Sequence, residues 1–143
     1  MYFENLLNRG AIPGLWATLS YTESRHRMIA ENIANLETPG YKTKQLDAAA
    51  FQRALGKAFD RRARGPIEPF VVEGRGFHTD TAGALKVTPS FRPPDNILFH
   101  DGTNMSLERE MADLAENAMM HEMTSTLLWG KIDGLRKAIR GRA

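Results

Sequence analysis

Two stretches of the sequence repeat hydrophobic residues at alternating spacings of four and three. The first begins near Pro13, which suits the first turn of a helix because its missing N–H has no partner there. The second begins near Ser106, a good N-cap residue, and its last turns are basic, as the end of a helix favours. This spacing places the apolar side chains on one stripe of each helix. The sequence therefore predicts a long helix at each end of the chain, each with an apolar seam.

Both predicted seams are interrupted at mid-length by polar residues, Thr22 and His26 in the first and His121 and Ser125 in the second. These residues either tolerate partial exposure, or set the register of helix pairing, or face another subunit, at some cost in stability. The C-terminal pattern is the longer one, so a hairpin within one chain leaves apolar positions uncovered, which suggests partners. The apolar seam positions are Leu15, Leu19, Ile29, Ile33 and Leu36, then Leu107, Met111, Leu114, Leu128, Ile132, Leu135 and Ile139.

The segment between the two helices has a different composition. Five of the seven prolines fall between Pro66 and Pro94, and most of this region is typical of loop. Residues 47–59 predict a short helix, and "PFVVEG" and "ALKVT" predict short strands. The predicted fold is mainly α: long N- and C-terminal helices form a coiled-coil-like bundle, with an irregular, partly β or disordered middle. The predicted divisions are residues 1–42, 43–104 and 105–143.

The first helix pattern ends in the sequence "NIANLETPGYK", residues 32–42. Thr38 precedes a proline, which pushes its backbone to extended conformations and ends the helix nearby. Pro39 followed by Gly40 is the signature of a type II turn, because glycine accepts a positive φ. The two asparagines are suited to bind free backbone groups at the helix end or in the turn. An ordinary helix stop needs only a glycine or a proline, so this segment exceeds that need.

These residues resemble the N-terminal motif of the flagellar axial proteins, the rod and hook family. Residues 104–139 are similar to the C-terminal helix of that family, and the short chain is similar to its proximal-rod members. The resemblance implies a structural subunit whose terminal helices pack as a coiled coil in a helical tube and transmit torque for motility. It also implies that the motif residues serve assembly, not catalysis. They are Asn32, Ile33, Ala34, Asn35, Thr38, Pro39, Gly40, Tyr41 and Lys42.

The resemblance implies partners and a location as well. The expected partners are other copies of the chain, other rod proteins, and the export gate at the base of the flagellum. The expected location is the basal-body rod in the periplasm, reached through the flagellar type III export apparatus. The N-terminal "MYFENLLNRG" lacks the features of a cleaved signal peptide, and no window is apolar enough for membrane insertion. No cofactor is expected, and the absence of cysteine excludes disulfides and thiolate chemistry.

Two other functions remain open on the sequence alone. One is another short axial protein of the same rod. The other is a nucleic-acid-binding helical hairpin that uses the basic C-terminal turns and a cluster at Arg61, Arg62 and Arg64, although the net charge of +2 is too small to favour it. The same arginines suit either a solvated linker or a contact with an acidic neighbour.

Enzymatic and metal-binding functions find little support in the sequence. Asp113, Asn117 and His121 recur every four residues on one helix face, but no second ligand cluster accompanies them. Acidic residues and a histidine at positions 95, 100 and 101 come with no nucleophile elbow. The chain is therefore predicted not to be an enzyme and to hold no metal.

Overall fold

Both long helices predicted at the ends of the chain are present. The segment that connects them along the chain forms a shorter helix and several short strands. The computed structural model describes residues 10–64, 69–91 and 103–141, so the acidic residues and histidine at positions 95, 100 and 101 lie outside the described residues. The elements are α1 (Ile12–Ala34), β1 (Lys44–Gln45), α2 (Ala48–Arg64), β2 (Glu73–Gly74), β3 (Phe77–Thr79), β4 (Leu85–Val87), β5 (Ser90–Phe91) and α3 (Thr103–Ile139). The predicted fold class is confirmed, whereas the predicted divisions after residues 42 and 104 stay a prediction.

Helices α1 and α3 pack against each other in antiparallel orientation. Asn32 at the end of α1 contacts Glu110 near the start of α3, whereas Thr22 contacts His121. Helix α3 has 37 residues and α1 has 23, so α3 is about 20 Å longer. Given this register, the last turns of α3 extend beyond the first residue of α1. Among the described residues, no helix combines the length and the apolar character needed to cross a membrane.

The start of α3 differs from the prediction. The helix begins at Thr103, so Ser106 lies inside its first turns and is not the N-cap. Nothing between these two positions breaks a helix, since neither proline nor glycine occurs there. The preference of serine for the N-cap position therefore did not determine where α3 begins.

Three aromatic rings attach the middle of the chain to α1. The ring of Tyr21 stacks on that of Phe51 in α2, with centroids 4.0 Å apart, and Phe77 of β3 meets both rings edge-on. Each residue is at most 2% exposed. Such ring pairs contribute about 0.5–1.5 kcal/mol beyond the area they bury. Residues 48–64 and 69–91 are thus ordered against α1 within one chain.

Helix α2 forms because a capping residue precedes an amphipathic sequence. The Asp47 carboxylate accepts a hydrogen bond from the Ala50 N–H at 2.8 Å, which satisfies one of the free donors of the first turn. Phe51, Ala54 and Ala58 follow at helical spacing and are buried. The helix continues past the predicted end at residue 59 to residue 64.

Small residues allow close approach of rings at two places in this core. A Cβ built on Gly14 of α1 would lie 2.3 Å from Cζ of Phe59, and one on Gly74 would lie 2.3 Å from Cζ of Phe77. Real Cβ atoms do not approach this closely, so both rings pack directly against glycine backbone. The glycine in α1 is disfavoured by helix propensity but makes room for α2.

The strands form two small antiparallel sheets, β1 with β5 and β2–β3–β4. Tight turns connect the three-stranded sheet, and Gly76 and Gly83 have positive φ angles of 85° and 82° there. The Asp80 carboxylate accepts hydrogen bonds from the N–H groups of Ala82 and Ala84, both at 2.9 Å. Local turn chemistry therefore fixes a sheet that buries few side chains of its own.

Helix α1 buries two adjacent stripes, which shifts its buried surface away from the predicted seam. Tyr21 and Met28 face the aromatic core, whereas Thr22, Arg25 and Asn32 face α3. The seam pattern assumed one partner for α1, but the helix has two, and the buried arc is centred between them. Among the predicted seam positions of α1, Ile29 is buried, while Leu15, Leu19, Ile33 and Leu36 are half-buried.

The predicted seam of α3 is covered only in part within the chain. Leu128 is buried, whereas Met111 and Ile139 are 58% and 66% exposed. The remaining seam residues, Leu107, Leu114, Ile132 and Leu135, are half-buried. For the assembled protein, the seam stays a prediction.

The phenol of Tyr21 makes the stability of this core depend on alkaline pH. Burial raises the pKa of Tyr21 from 10.0 to about 12, so the folded state favours the neutral phenol. This contribution is complete below pH 10 and is lost as the pH rises to about 12. The pKa values of Tyr41 and Lys44 are also raised, by desolvation and by a hydrogen bond from Lys44 to Glu31 respectively, so they act in the same direction.

We expect Tyr21→Phe to be more stable than the wild type by about 1 kcal/mol at pH 7, because the buried hydroxyl has no hydrogen-bond partner among the described residues. The variant should also lose less stability between pH 10 and 12. Urea denaturation at a series of pH values measures both effects. Tyr41→Phe is the control, because its hydroxyl donates to Asn32 at 3.2 Å and its removal should destabilise. Equal pH profiles for Tyr21→Phe and the wild type would contradict the assignment.

Candidate assembly interface

The predicted turn in the motif is present. Gly40 has a φ of 78°, and the Tyr41 N–H donates to the carbonyl of Thr38 at 3.2 Å. Asn35 caps the end of α1, since its Nδ2 donates to the carbonyl of Glu31 at 2.9 Å. Local chemistry alone thus accounts for the way the helix stops.

The motif residues divide sharply by exposure. Asn32 is 2% exposed and lies between the rest of the motif and α3. The backbone turn that follows is at the surface. Exposed motif residues are Ala34, Thr38, Pro39, Gly40 and Lys42, and half-buried ones are Ile33, Asn35 and Tyr41.

Polar side chains join α1 to α3 at mid-length. Asn117 donates from Nδ2 to the carbonyl of Thr22 at 2.8 Å. The Thr22 hydroxyl donates its single hydrogen to the carbonyl of Leu19 at 3.0 Å. His121 Nδ1 lies 2.9 Å from the same hydroxyl oxygen, so a hydrogen bond joins Thr22 of α1 to His121 of α3.

An arginine extends this polar contact toward the motif. The Arg25 guanidinium lies 3.2 Å from the Asp113 carboxylate and 3.4 Å from that of Glu116. Its side chain is 7% exposed, whereas Glu116 is largely in solvent. A buried cation with two carboxylates on the facing helix specifies one register, because any other pairing leaves the cation without its partners.

The sequence-based seam missed these residues. Neither Arg25 nor Asn117 is among the predicted seam positions, yet both are buried between the helices. Asp113, Asn117 and His121 each contact α1. Within the described ranges, no group of three or more His, Asp or Glu side chains is placed to hold a metal. The sequence did carry one signal for this polar contact, because Thr22 and His121 interrupt the two predicted apolar seams. In the structure these two side chains contact each other.

The outer face of α3 carries large apolar side chains that nothing in the described chain covers. Met119, Met123 and Leu127 recur every four residues and are 72%, 67% and 48% exposed. Trp129 is 63% exposed and Trp16 of α1 is 54% exposed, so neither tryptophan packs in the core of the single chain. An apolar row of this length on a helix is typical of a protein contact surface. We call Met119, Met123 and Leu127 the outer row.

The basic cluster in α2 is used within the chain. Arg61 donates to the carbonyl of Val71 at 2.7 Å, and the Arg62 guanidinium lies 5.9 Å from the centre of the Phe70 ring. Both side chains hold the segment before β2 against α2. Two of the three arginines thus lie in a helix and contact their own chain instead of forming a solvated linker, whereas a contact of the cluster with an acidic neighbour stays a prediction.

Known proteins similar to this chain share one description. A protein of Cereibacter sphaeroides described as flagellar basal body rod protein FlgB is 30% identical over 120 residues, which are 83% of this chain and 85% of that protein. The chain belongs to the FlgB family of flagellar basal body rod proteins. FlgB of Escherichia coli K12 is 29% identical over 85% of this chain and 87% of its own length. FlgB of Bacillus subtilis is 26% identical over 92% and 95%. No protein-family model matches the sequence.

Membership of the FlgB family confirms the predicted resemblance to the flagellar rod proteins. The similarity spans the middle segment as well as the two ends, so it is not limited to the motif and the terminal helix. The same description recurs among relatives from distant bacteria, which places the protein in the flagellar basal body rod. Neither another axial protein nor a nucleic-acid-binding hairpin is favoured.

Proposed function

We propose that this protein is a non-enzymatic building block of the proximal rod, which assembles with copies of itself and with other rod proteins. The observation that carries the proposal is the FlgB similarity over most of the chain, together with two long helices whose outer apolar side chains are uncovered. In this proposal, neighbouring subunits bury those side chains and the resulting tube transmits torque. Its innermost partners are the proteins at the base of the flagellum, including the export gate. The chain reaches the rod through the flagellar type III apparatus without signal cleavage.

The exposed apolar side chains of α3 favour assembly with other subunits over a monomeric state. Burying apolar surface contributes about 25 cal/mol per Å², and each residue of the outer row presents at least 48% of its surface. The helix extends past α1, so its last turns can lie along a neighbour while its first turns stay paired with α1. A single chain thus keeps its own register and still offers a contact surface.

Deleting the gene is expected to abolish rods and swimming, and the wild-type chain supplied in trans is expected to restore both. Flagellar basal bodies purified from the deletion strain and viewed by electron microscopy provide the direct readout. Intact rods in the deletion strain would contradict the proposal.

The double variant Met123→Gln, Leu127→Gln should fold normally but fail to restore swimming. Surface substitutions usually change stability by less than about 0.5 kcal/mol, so the melting temperature of the isolated protein should be nearly unchanged. Swarm diameter in the deletion strain measures assembly, and export is checked separately by immunoblotting. The matched control is Glu108→Gln, Glu122→Gln, which changes two exposed residues of the same helix and should swim. Full swimming by the outer-row variant would exclude this row from the interface.

A further inference from the structure

One buried side chain in the motif joins three segments of the chain. Asn32 Nδ2 donates to the carbonyl of Lys44 at 2.8 Å and to Oε2 of Glu110 at 3.2 Å. Its Oδ1 accepts from the N–H of Lys44 at 3.0 Å and from the hydroxyl of Tyr41 at 3.2 Å. A carboxamide has two donor hydrogens and two acceptor lone pairs. Asn32 therefore uses its full hydrogen-bonding capacity while it is 2% exposed.

These four bonds close the loop formed by the motif. The paired bonds to the N–H and carbonyl of Lys44 imitate a strand-to-strand pairing, which brings the first residue of β1 back to the end of α1. The bond from Tyr41 holds the residue after the turn. The bond to Glu110, which is also 2% exposed, fixes this closed loop against α3. The side chain thus positions both the turn and the partner helix.

The other half of the motif faces outward. Thr38, Pro39 and Gly40 are exposed, and the described chain makes no use of their side chains beyond a contact of 3.3 Å between the Thr38 hydroxyl and Asn35. A loop that is held this firmly at its base has a fixed shape at its tip. A rigid, exposed turn loses little conformational entropy when it binds a partner.

We propose that the motif works as two parts with different tasks. Asn32 and Tyr41, with Glu110 of α3, are positioning residues that fix the loop and make no contact with a neighbour. Residues 38–40 are the surface that the fixed loop presents to another rod subunit. This inference rests on the proposed assembly function and divides the motif residues, which were predicted to serve assembly, into two groups.

Asn32 cannot be replaced by its acidic counterpart in this arrangement. An aspartate has the same shape but no donor, so the Lys44 carbonyl loses its partner. The new carboxylate would also lie next to that of Glu110, and like charges at this distance in a buried site repel strongly. A glutamine at position 110 removes the repulsion and can donate to the new carboxylate, which restores the bond with reversed polarity.

The first experiment is a double-mutant cycle on the isolated protein. We expect Asn32→Asp to lower the melting temperature by about 10 °C and to speed amide exchange at Lys44, whose N–H donates to Asn32. Glu110→Gln alone should cost about 3 °C, because Asn32 can still donate to the glutamine oxygen. Added to Asn32→Asp, it should recover at least half of the loss. Asn35→Asp is the control, since the side-chain bonds of Asn35 to other described residues lie within the motif and its own helix, and it should cost about 3 °C.

This cycle separates a specific pairing from a general structural role. Asn32→Asp melting like the wild type would overturn the proposal. So would a Glu110→Gln substitution that adds its own loss to Asn32→Asp instead of relieving it. Neither result depends on motility, so the outcome is independent of whether the chain builds the rod.

The second experiment tests the outer part in the deletion strain. Thr38→Arg should melt within about 2 °C of the wild type yet reduce swarm diameter at least fivefold. Thr81→Arg introduces the same side chain at another exposed turn residue and should swim normally. If wild type and Thr38→Arg swim equally well, residues 38–40 are not the contact surface. If the wild-type chain itself fails to restore swimming, the proposed function fails instead.

Discussion

Replacing Phe51 with alanine is expected to reduce the free energy of unfolding by about 3–5 kcal/mol. Phe51 is 1% exposed, stacks on Tyr21 and meets Phe77 edge-on. It is one of three rings that all contact one another in the largest aromatic cluster among residues 10–64, 69–91 and 103–141. Alanine leaves a cavity between α1, α2 and β3, where the Phe51 ring contacts Tyr21 and Phe77.

This loss is a large fraction of the total free energy of unfolding, which is typically about 5–15 kcal/mol for a small domain. Urea denaturation followed by circular dichroism measures it. Phe91→Ala is the matched control: the same atoms are removed from a side chain that is 64% exposed, with a loss below about 1 kcal/mol expected. Comparable losses at the two positions would show that the aromatic cluster does not organise the core.

Replacing Arg25 with alanine is the second large effect, with an expected loss of about 2–3 kcal/mol. The substitution leaves Asp113 facing a partly buried site without its cation, and it removes the packing of the long side chain between the helices. The estimate is below that for a fully buried pair because Asp113 and Glu116 are 31% and 60% exposed and can be rehydrated. Thermal unfolding at neutral pH measures the loss.

Arg27→Ala provides the comparison for this prediction. Arg27 pairs with Glu23 one turn away, and both side chains are more than 60% exposed, so the pair is expected to contribute less than about 0.5 kcal/mol. Raising the salt concentration should weaken the Arg25 contact only modestly, since buried pairs are poorly screened. If the Arg25→Ala and Arg27→Ala variants have the same melting temperature, the polar contact between α1 and α3 does not stabilise the chain.

The sequence predicted the long helices because each repeats apolar residues over many turns. It also predicted the Pro39–Gly40 turn, since a positive φ at Gly40 follows from short-range sterics. Both features depend on residues close together in the chain. The resemblance to axial proteins followed from the same local residues, and the similarity to FlgB relatives confirmed it.

Long-range pairing was less predictable. The periodic pattern placed Leu19 and Ile33 on the seam, but α1 has two partners, so its buried arc lies between them. A pattern of apolar spacing carries no signal for a buried Arg25 or Glu110, because such residues are buried only when the facing helix supplies their partners. Their roles become visible once α3 is in register.

The different roles of the residues within the motif could not be predicted from the sequence either. Asn32 and Asn35 are the same residue type at the same helix end, and both were predicted to bind backbone groups. Only the return of the chain at Lys44 and the position of Glu110 distinguish them. The roles proposed for the motif and the boundaries of the three segments stay predictions.

The most direct test of the central claim is a density map of flagellar basal bodies purified from the source bacterium. The account predicts this chain in the proximal rod, with α1 and α3 antiparallel as in the single chain and the outer row covered by neighbouring subunits. Basal bodies with a complete rod in which no density fits this chain would contradict it.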